Sequence, residues 1–284
     1  MRENILRLLD ADTDLPPYPE ILHRLELYLL NPDASMSEVV TIIESDSILA
    51  GRLLKIANSV FYAAGRSKIN SLQLAVGRMG LQSVRELVYS ITIPRIFESS
   101  ETIGHHSFWR HSLVAAIFSR ELARSLGQPA SVQDRAYLTG LFHDTGIIVF
   151  SKLIPRKFKL FVEKNRNDPR SLFKLEEEEF GITHAEIGAL YIQKQWEIDP
   201  LIADVIKYQP QVPEDNAEIG LFVRMLNLAN VVCDELGITN GLGDHPETID
   251  EKLWEYFGIS EEQIDEIMSE VEKALEEAET LLFA

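Results

Sequence analysis

A histidine and an aspartate are adjacent at His143 and Asp144, and two further histidines lie upstream at His111 and downstream at His184. Imidazole and carboxylate groups are the usual protein ligands of iron, manganese, nickel and zinc, and neighbouring ligands can reach one ion at an irregular helix end. Taken singly, each histidine is more often a hydrogen-bonded core or surface residue. Their combination predicts a site for one divalent metal ion formed by His111, His143, Asp144 and His184.

No other set of residues in the sequence has the spacing of a catalytic motif. There is no Gly-x-Ser-x-Gly nucleophile turn, no Gly-x-x-x-x-Gly-Lys phosphate loop and no Cys-x-x-Cys zinc pair. The single cysteine, Cys233, lies in an apolar run, which favours a buried packing role over a nucleophile. The doublet His105-His106 is predicted to lie in a solvated loop before a helix.

Helical periodicity dominates the sequence, so helices must position the candidate ligands. Ser35 with Glu38, and Thr183 with Glu186, have the spacing of a capping box, in which both side chains satisfy the first N–H groups of a helix. Strand alternation is nearly absent, and no repeat or long linker occurs. The predicted helical segments are residues 21–30, 36–43, 48–57, 71–93 with an interruption at Gly80 and a stop at Pro94, 107–126, 134–142, 183–196, a segment opening at 199–200, 219–236, 248–257 and 261–282.

The net charge of −18 is unevenly distributed along the 284 residues. Residues 241–284 hold 14 acidic and two basic residues, whereas residues 50–95 hold seven basic residues and one acidic residue. The overall charge disfavours binding to nucleic acid or anionic membranes, because phosphate groups would be repelled. The basic segment could contact an acidic partner or a phosphate, although a solvated surface is the commoner explanation; its candidate residues are Arg52, Lys55, Arg66, Lys68, Arg78 and Arg85.

The apolar stretches of the sequence are too short to span a membrane. None approaches the roughly 18 uninterrupted apolar residues that a bilayer requires. The first 14 residues mix acidic and basic side chains and lack the apolar block of a signal peptide. We therefore expect a cytoplasmic protein, and no oligomeric state follows from the sequence.

Several short motifs are spread over most of the chain, from Leu15 to Gly237. They are LPPYP at residues 15–19, DSILAGRLLKIANS at residues 46–59, Phe61-Tyr62, Ile69 followed by SLQLAVGRMG at residues 71–80, Arg85, LAN at residues 228–230 and LG at residues 236–237. In this order they resemble the signature of the HDOD family, the HD-related output domains. The resemblance implies an all-α fold: an HD-like multi-helix bundle with additional N-terminal helices over residues 15–240. A segment 1–14 would precede this body, and an acidic helical extension 241–284 would follow it.

The resemblance also implies a relation to the HD metal-dependent phosphohydrolases, which bind metal through a histidine, a His-Asp pair and a late aspartate. His111, His143 and Asp144 match the first three positions, but the late position is Asn230, a neutral amide and a poor metal ligand. Ile147 replaces the lysine of the active enzymes. Residues 205–210 lack the paired histidines of binuclear members, and the Gly-Tyr-Pro signature of cyclic-di-GMP phosphodiesterases is missing.

Three hypotheses for function remain, two from the resemblance to the HDOD family and one from the basic segment. The leading one is an HDOD signalling module in bacterial regulation that binds a signalling protein or small ligand and keeps a degenerate HD metal site. The alternative is a metal-dependent phosphohydrolase or phosphodiesterase acting on a nucleotide or cyclic dinucleotide. A third is phosphate or nucleic-acid recognition by the basic segment at residues 50–95.

Overall fold

A computed structural model of the chain describes residues 1–11, 15–29, 35–59, 62, 67–96, 102–196, 198–209, 211–243 and 252–282. No strand occurs within these ranges, and the prediction of an all-α, multi-helix fold is confirmed. Within the same ranges, no helix is both long enough and apolar enough to cross a membrane.

The helices follow one another through short connections. In chain order they are α1 (Arg2–Ala11), α2 (Glu20–Leu29), α3 (Met36–Glu44), α4 (Ser47–Ala57), α5 (Leu72–Met79), α6 (Leu81–Ile96), α7 (His105–Ser125), α8 (Ala130–Phe142), α9 (Thr145–Leu153), α10 (Pro155–Asn165), α11 (Leu172–Phe180), α12 (His184–Gln195), α13 (Pro200–Tyr208), α14 (Ala217–Glu235), α15 (Lys252–Phe257) and α16 (Glu261–Leu282).

The chain divides into two compact units. The first unit comprises Met1–Pro16 and Ser99–Leu275, and it contains all four candidate metal ligands. The second unit comprises Pro17–Glu98 and Glu276–Ala284. The boundaries expected after residues 14 and 240 stay a prediction.

In the second unit, helix α3 contacts α2, α4 and α5, and side-chain caps fix the ends of α4. The Asp46 carboxylate accepts hydrogen bonds from the backbone N–H groups of Ile48 and Leu49 at 3.0 Å, and it pairs with Arg95 of α6 at 2.7 Å. A carboxylate at this position satisfies N–H groups that have no partner within the helix. At the other end, the Asn58 side chain donates to the carbonyl oxygen of Ile69 and accepts from its N–H group.

In the first unit, helix α7 packs against α8 and α14, and α9 packs against α12. Two glycines allow the close approaches. A methyl group at Gly140 of α8 would lie 2.6 Å from backbone atoms of Ala115 on α7, and one at Gly146 of α9 would lie 1.8 Å from the carbonyl oxygen of His184 on α12. Only a residue without a Cβ atom permits these contacts. Each glycine lies three residues from His143, so both approaches bring another helix to it.

Helix α12 begins as its sequence predicts. The Thr183 hydroxyl accepts a hydrogen bond from the Glu186 N–H group, and the Glu186 carboxylate accepts one from the Thr183 N–H group, both at 3.2 Å. The predicted capping box is therefore confirmed. It fixes the first turn of the helix, where His184 is the first residue.

Several predicted boundaries are wrong. Helix α6 continues past Pro94 and ends at Ile96. The proline removes one backbone hydrogen bond to the preceding turn, so the helix ends two residues after it instead of at it. Helix α7 begins at His105 instead of Ser107, so the His105-His106 doublet is helical and His106 is exposed. Helix α8 begins at Ala130, four residues before the predicted start at Asp134.

Helices α1 and α9 to α11 were not predicted from the sequence. Helix α9 is buried on almost every side, so its sequence shows no apolar stripe of helical period. The predicted stretch at residues 248–251, the residue Leu30 and the motif residue Phe61 lie outside the described residues.

The packing at Gly146 can be tested by comparing two glycine-to-alanine substitutions. Gly146→Ala is expected to lower the free energy of unfolding by at least about 2 kcal/mol, because its methyl group meets backbone atoms that cannot move aside easily. Gly51 of α4 is the matched control, since nothing lies within 4 Å of a methyl group there. Gly51→Ala should stabilise the protein by roughly 0.5–1 kcal/mol. Chemical denaturation measures both, and equal effects would contradict the packing described here.

Candidate metal centre

The four candidate ligands come from four separate places in the first unit. His111 lies in the second turn of α7, and His184 is the first residue of α12. His143 and Asp144 are the two residues that separate α8 from α9. All four side chains are buried, with exposed fractions of 6, 1, 3 and 3% for His111, His143, Asp144 and His184.

The structure brings these side chains together around the Asp144 carboxylate. His111 and His143 approach each other with their Nε2 atoms 3.1 Å apart. The His143 and His184 Nε2 atoms lie 3.3 and 3.5 Å from Asp144 Oδ1, and the His111 Nε2 atom lies 3.6 Å from Oδ2. The ligand atoms of His111, His143 and Asp144 all lie within 4.8 Å of one another, so these three residues form a group that could hold a metal ion.

The Nδ1 atom of each imidazole, the ring nitrogen that does not face Asp144, contacts an oxygen atom. His111 Nδ1 faces the carbonyl oxygen of Ile238 at 3.0 Å, and His143 Nδ1 faces that of Gly140 at 2.7 Å. His184 Nδ1 lies 2.7 Å from the Glu176 carboxylate. These oxygens can only accept, so each Nδ1 atom carries the proton, and in a neutral imidazole Nε2 is then an acceptor. Contacts of this kind orient the histidine ligands of metal sites.

The convergence of the Nε2 atoms is compatible with a cation between them. Two unprotonated nitrogens at 3.1 Å direct their lone pairs at each other, and the Nε2 to carboxylate distances exceed the roughly 2.7–2.9 Å of a charge-assisted hydrogen bond. A proton or a metal ion between them removes this repulsion. Ligands bound to one ion at about 2.0–2.1 Å lie about 3.0–3.4 Å from each other. The observed separations are close to that range.

Burial and charge set the protonation of the centre. Burial lowers the pKa of His143 to about 4, although the Asp144 carboxylate opposes this shift. Burial alone would raise the pKa of Asp144, but His143, His184, His111 and an Asn240 hydrogen bond together hold it below its usual value. Near neutral pH, His143 is therefore neutral and Asp144 is ionised, which are the protonation states that a metal ion requires.

A small cavity lies beside these ligands. Its volume is about 40 Å³, and Asn230, Asp234, Thr239, Asn240 and Gly243 line it together with the four ligands, Leu172 and Phe173. Asn230 is 3% exposed, so the residue at the expected late ligand position does lie at the centre. The neighbouring Asn240 donates a hydrogen bond to Asp144 Oδ2 at 3.0 Å.

Sequence reasoning missed Asp234, Asn240 and Glu176. Asp234 follows Asn230 by one helical turn on α14, a spacing that would have placed it nearby. Glu176 shares the apolar face of α11 with Leu172 and Phe180 at intervals of four residues, which was a readable signal of burial. Asn240 lies in a loop after α14, and no periodicity in the sequence marks its position.

The positions that differ from the HD enzymes are also internal. Ile147 is fully buried in the first turn of α9, so no cationic side chain occupies this place. In the segment expected to lack paired histidines, Gln209 donates from Nε2 to the carbonyl oxygen of His143 at 2.9 Å. Gln209 therefore stabilises the backbone of the ligand pair. Pro210, which ends that segment, lies outside the described residues.

The basic residues proposed as an anion or partner surface belong to the second unit. Arg78 donates to the carbonyl oxygens of Ala57 and Ser67, and Arg85 forms a two-bond ion pair with Glu26 at 2.7 and 3.0 Å. These two arginines stabilise the unit internally. Lys55 and Lys68 line an open hollow of about 670 Å³ beside α4, on which Arg52 also lies. Arg66 lies outside the described residues, and the surface stays a prediction.

Comparisons with known proteins place this chain among relatives of the same fold. The family model described as the HDOD domain matches residues 15–212. A structure of an HDOD domain protein with unknown function from Geobacter sulfurreducens is 23% identical and has a TM-score of 0.80, with 99% of this chain and 98% of that chain covered. This likeness shows the fold.

Two further relatives are longer than this chain. One is the structure of a protein from Marinobacter aquaeolei VT8 that is described as a signal transduction protein; it is 25% identical and has a TM-score of 0.77. The match covers 99% of this chain and 64% of that chain. An uncharacterized protein of Treponema pallidum (strain Nichols) is 28% identical over 257 residues, which cover 89% of this chain. The chain spans about half of that protein's length, 48%.

The depressed pKa of His143 predicts a pH dependence of stability for chelator-treated protein. Between the ordinary histidine pKa of 6.5 and the lowered pKa of about 4, the unfolded His143 binds a proton that the folded one does not. Stability therefore rises with pH across this window, and up to about 3 kcal/mol is lost on acidification. Denaturant unfolding at several pH values checks this, and His143→Gln should flatten the profile. A wild-type stability that is constant or increases on acidification would contradict it.

Proposed function

We propose, since the chain belongs to the HDOD family, that it is a signalling or regulatory module whose helical body binds a protein partner or a small ligand. We further propose that His111, His143 and Asp144, with His184 beside them, hold one divalent metal ion without efficient phosphoester turnover. The Marinobacter relative ascribed to signal transduction supports the regulatory assignment.

The observation that carries the proposal is the confinement of the candidate metal centre. Pockets for small organic ligands usually measure about 300–1,000 Å³, whereas the cavity beside Asp144 measures about 40 Å³. This volume suffices for an ion and a few water molecules, because one water needs only about 10–15 Å³ of such space. A cavity of this volume is too small to enclose a nucleotide or cyclic dinucleotide.

The charge of the ligand set supports the same conclusion. A metal hydrolase uses the ion to lower the pKa of bound water and to hold the phosphate oxygens. Here the direct ligands carry one negative charge, on Asp144, because Asn230 is neutral. The buried Ile147 also provides no cation for a substrate phosphate. The missing lysine at position 147 disfavours hydrolysis, whereas the neutral Asn230 weakens metal retention and leaves Asp144 as the charged direct ligand.

The donor atoms narrow the choice of metal. Three imidazole nitrogens and one carboxylate suit zinc, iron or nickel, whereas manganese prefers oxygen ligands. When bound, the ion would supply Lewis acidity and coordination bonds that join its ligands. The protein residues then hold the start of α7, the α8–α9 junction and the start of α12 at fixed separations. A regulatory module would use that rigidity to present one defined surface.

Elemental analysis combined with an activity screen tests the proposed function. Protein purified without chelators is expected to contain one zinc, iron or nickel ion per chain, and Asp144→Asn should weaken binding at least about 100-fold, because it removes the only charged ligand. Glu235→Gln, which neutralises an exposed carboxylate of α14 outside the cavity lining, is the control and should retain the metal. Nucleotides and cyclic dinucleotides should not be cleaved efficiently. Rapid metal-dependent cleavage that His143→Ala abolishes would overturn the regulatory assignment.

A phosphohydrolase is the second candidate function. The observation in its favour is the convergence of three Nε2 atoms and a carboxylate, which resembles the ligand set of a mononuclear metal hydrolase. This candidate requires the cavity to open for substrate. It predicts slow turnover by the wild type that rises in Asn230→Asp, and absence of turnover in both proteins with metal bound would exclude it.

A further inference from the structure

Glu176 is a completely buried carboxylate next to the candidate metal centre. It is the first of four consecutive glutamates, residues 176–179, but it alone points inward from α11 because it shares a face with Leu172 and Phe180. Its exposed fraction is 0%. A buried carboxylate is costly unless its charge is compensated, so its retention requires a physical reason.

The contacts of Glu176 are directed at a single metal-ligand residue. Its Oε2 atom accepts the backbone N–H of His184 at 2.8 Å and the Nδ1–H of the same residue at 2.7 Å. The other oxygen, Oε1, is buried without a hydrogen-bond partner among the described residues. His184 begins α12, whose N-terminus also stabilises negative charge. The turn that joins α11 to α12 passes through Gly181 at φ +70°, which returns the chain and places Glu176 behind His184.

The buried acidic side chains at the centre indicate why Glu176 lies behind His184. Asp144 and Glu176 are the two buried carboxyl groups beside the candidate ligands, whereas Asn230 is a neutral amide. Two carboxylates match the charge of one divalent cation. An aspartate at position 230 would bring the same two charges without Glu176, but it would place both of them on direct ligands.

We propose that Glu176 supplies the second negative charge of the metal centre, acting through His184, in place of the carboxylate that Asn230 lacks. The inference rests on the proposed function, because it assumes that the centre binds a divalent ion. Glu176 is a positioning residue, since it orients the His184 ring and increases the electron density at Nε2 without touching the ion. The two buried carboxylates, Asp144 and Glu176, then match the charge of one divalent ion.

The test measures Zn²⁺ affinity by competition with a chromogenic chelator, using the full chain. Glu176→Gln keeps the shape and an accepting oxygen but removes the charge, and it should weaken Zn²⁺ binding about 10- to 100-fold. Glu177→Gln removes the same charge from an exposed position on α11 and should leave the affinity unchanged. Asn230→Asp should tighten binding, and the double variant Asn230→Asp/Glu176→Gln should return to within about tenfold of the wild type, because the total charge is restored.

The melting temperature of the metal-free proteins separates this role from a structural one. Glu176→Gln should leave that temperature unchanged or raise it, because it removes an uncompensated buried charge, while the rise on Zn²⁺ addition becomes smaller. A residue needed only for packing would lower the metal-free melting temperature and leave the Zn²⁺ affinity alone. If Glu176→Gln does not fold, Glu176→Asp replaces it, because the shorter carboxylate keeps the charge but moves away from His184. Unchanged Zn²⁺ affinity in that variant would overturn the role of Glu176.

Two different failures can be told apart. Wild-type protein that binds no Zn²⁺ would overturn the proposed metal centre itself. Wild-type protein that binds Zn²⁺ while Glu176→Gln binds it equally well, or while Glu177→Gln loses as much affinity, would overturn only the role of Glu176.

Discussion

The close approach of helix backbones at Gly140 and Gly146 is the constraint on which the candidate centre depends. At these positions α7 and α12 come so near to the α8–α9 junction that a single methyl group would collide with their main chains. The two glycines flank His143 symmetrically, so the approaches bring His111 and His184 within reach of it and of Asp144. Backbone contacts at the Nδ1 atoms of His111 and His143 then turn those rings toward one point. The geometry of the centre is thus a consequence of helix packing.

The charges at the candidate metal centre determine which functions its geometry allows. Buried carboxylates at Asp144 and Glu176 and three imidazoles with protonated Nδ1 atoms leave a negative region that a divalent cation would neutralise. Asn230 lacks the carboxylate of a late metal ligand, Ile147 lacks the cation that would contact a phosphate, and the cavity is small. The convergent ligands favour holding an ion, whereas the missing lysine and the small cavity disfavour turnover. A regulatory module with a retained metal centre is the function most consistent with both properties.

The sequence predicted the parts of this picture that leave local signals. The capping box at Thr183 and the helical periodicity located α12 and α14, and the His143-Asp144 pair with His111 was recognisable because its residue types suit a metal. Helix α9 was missed because it is buried on almost every side and shows no apolar stripe. Asn240 and the contact between Glu176 and His184 depend on how distant segments pack. Residue types alone do not encode these contacts, although the period of α11 already placed Glu176 on its buried face.

X-ray absorption at the metal edge of protein purified without chelators tests the central claim most directly. The account predicts one metal per chain, with nitrogen and oxygen ligands at about 2.0–2.1 Å and the scattering pattern of two or three imidazoles. Asp144→Asn would lower the amount of metal bound. A metal surrounded by oxygen ligands without imidazole scattering would contradict it, as would protein that retains no metal.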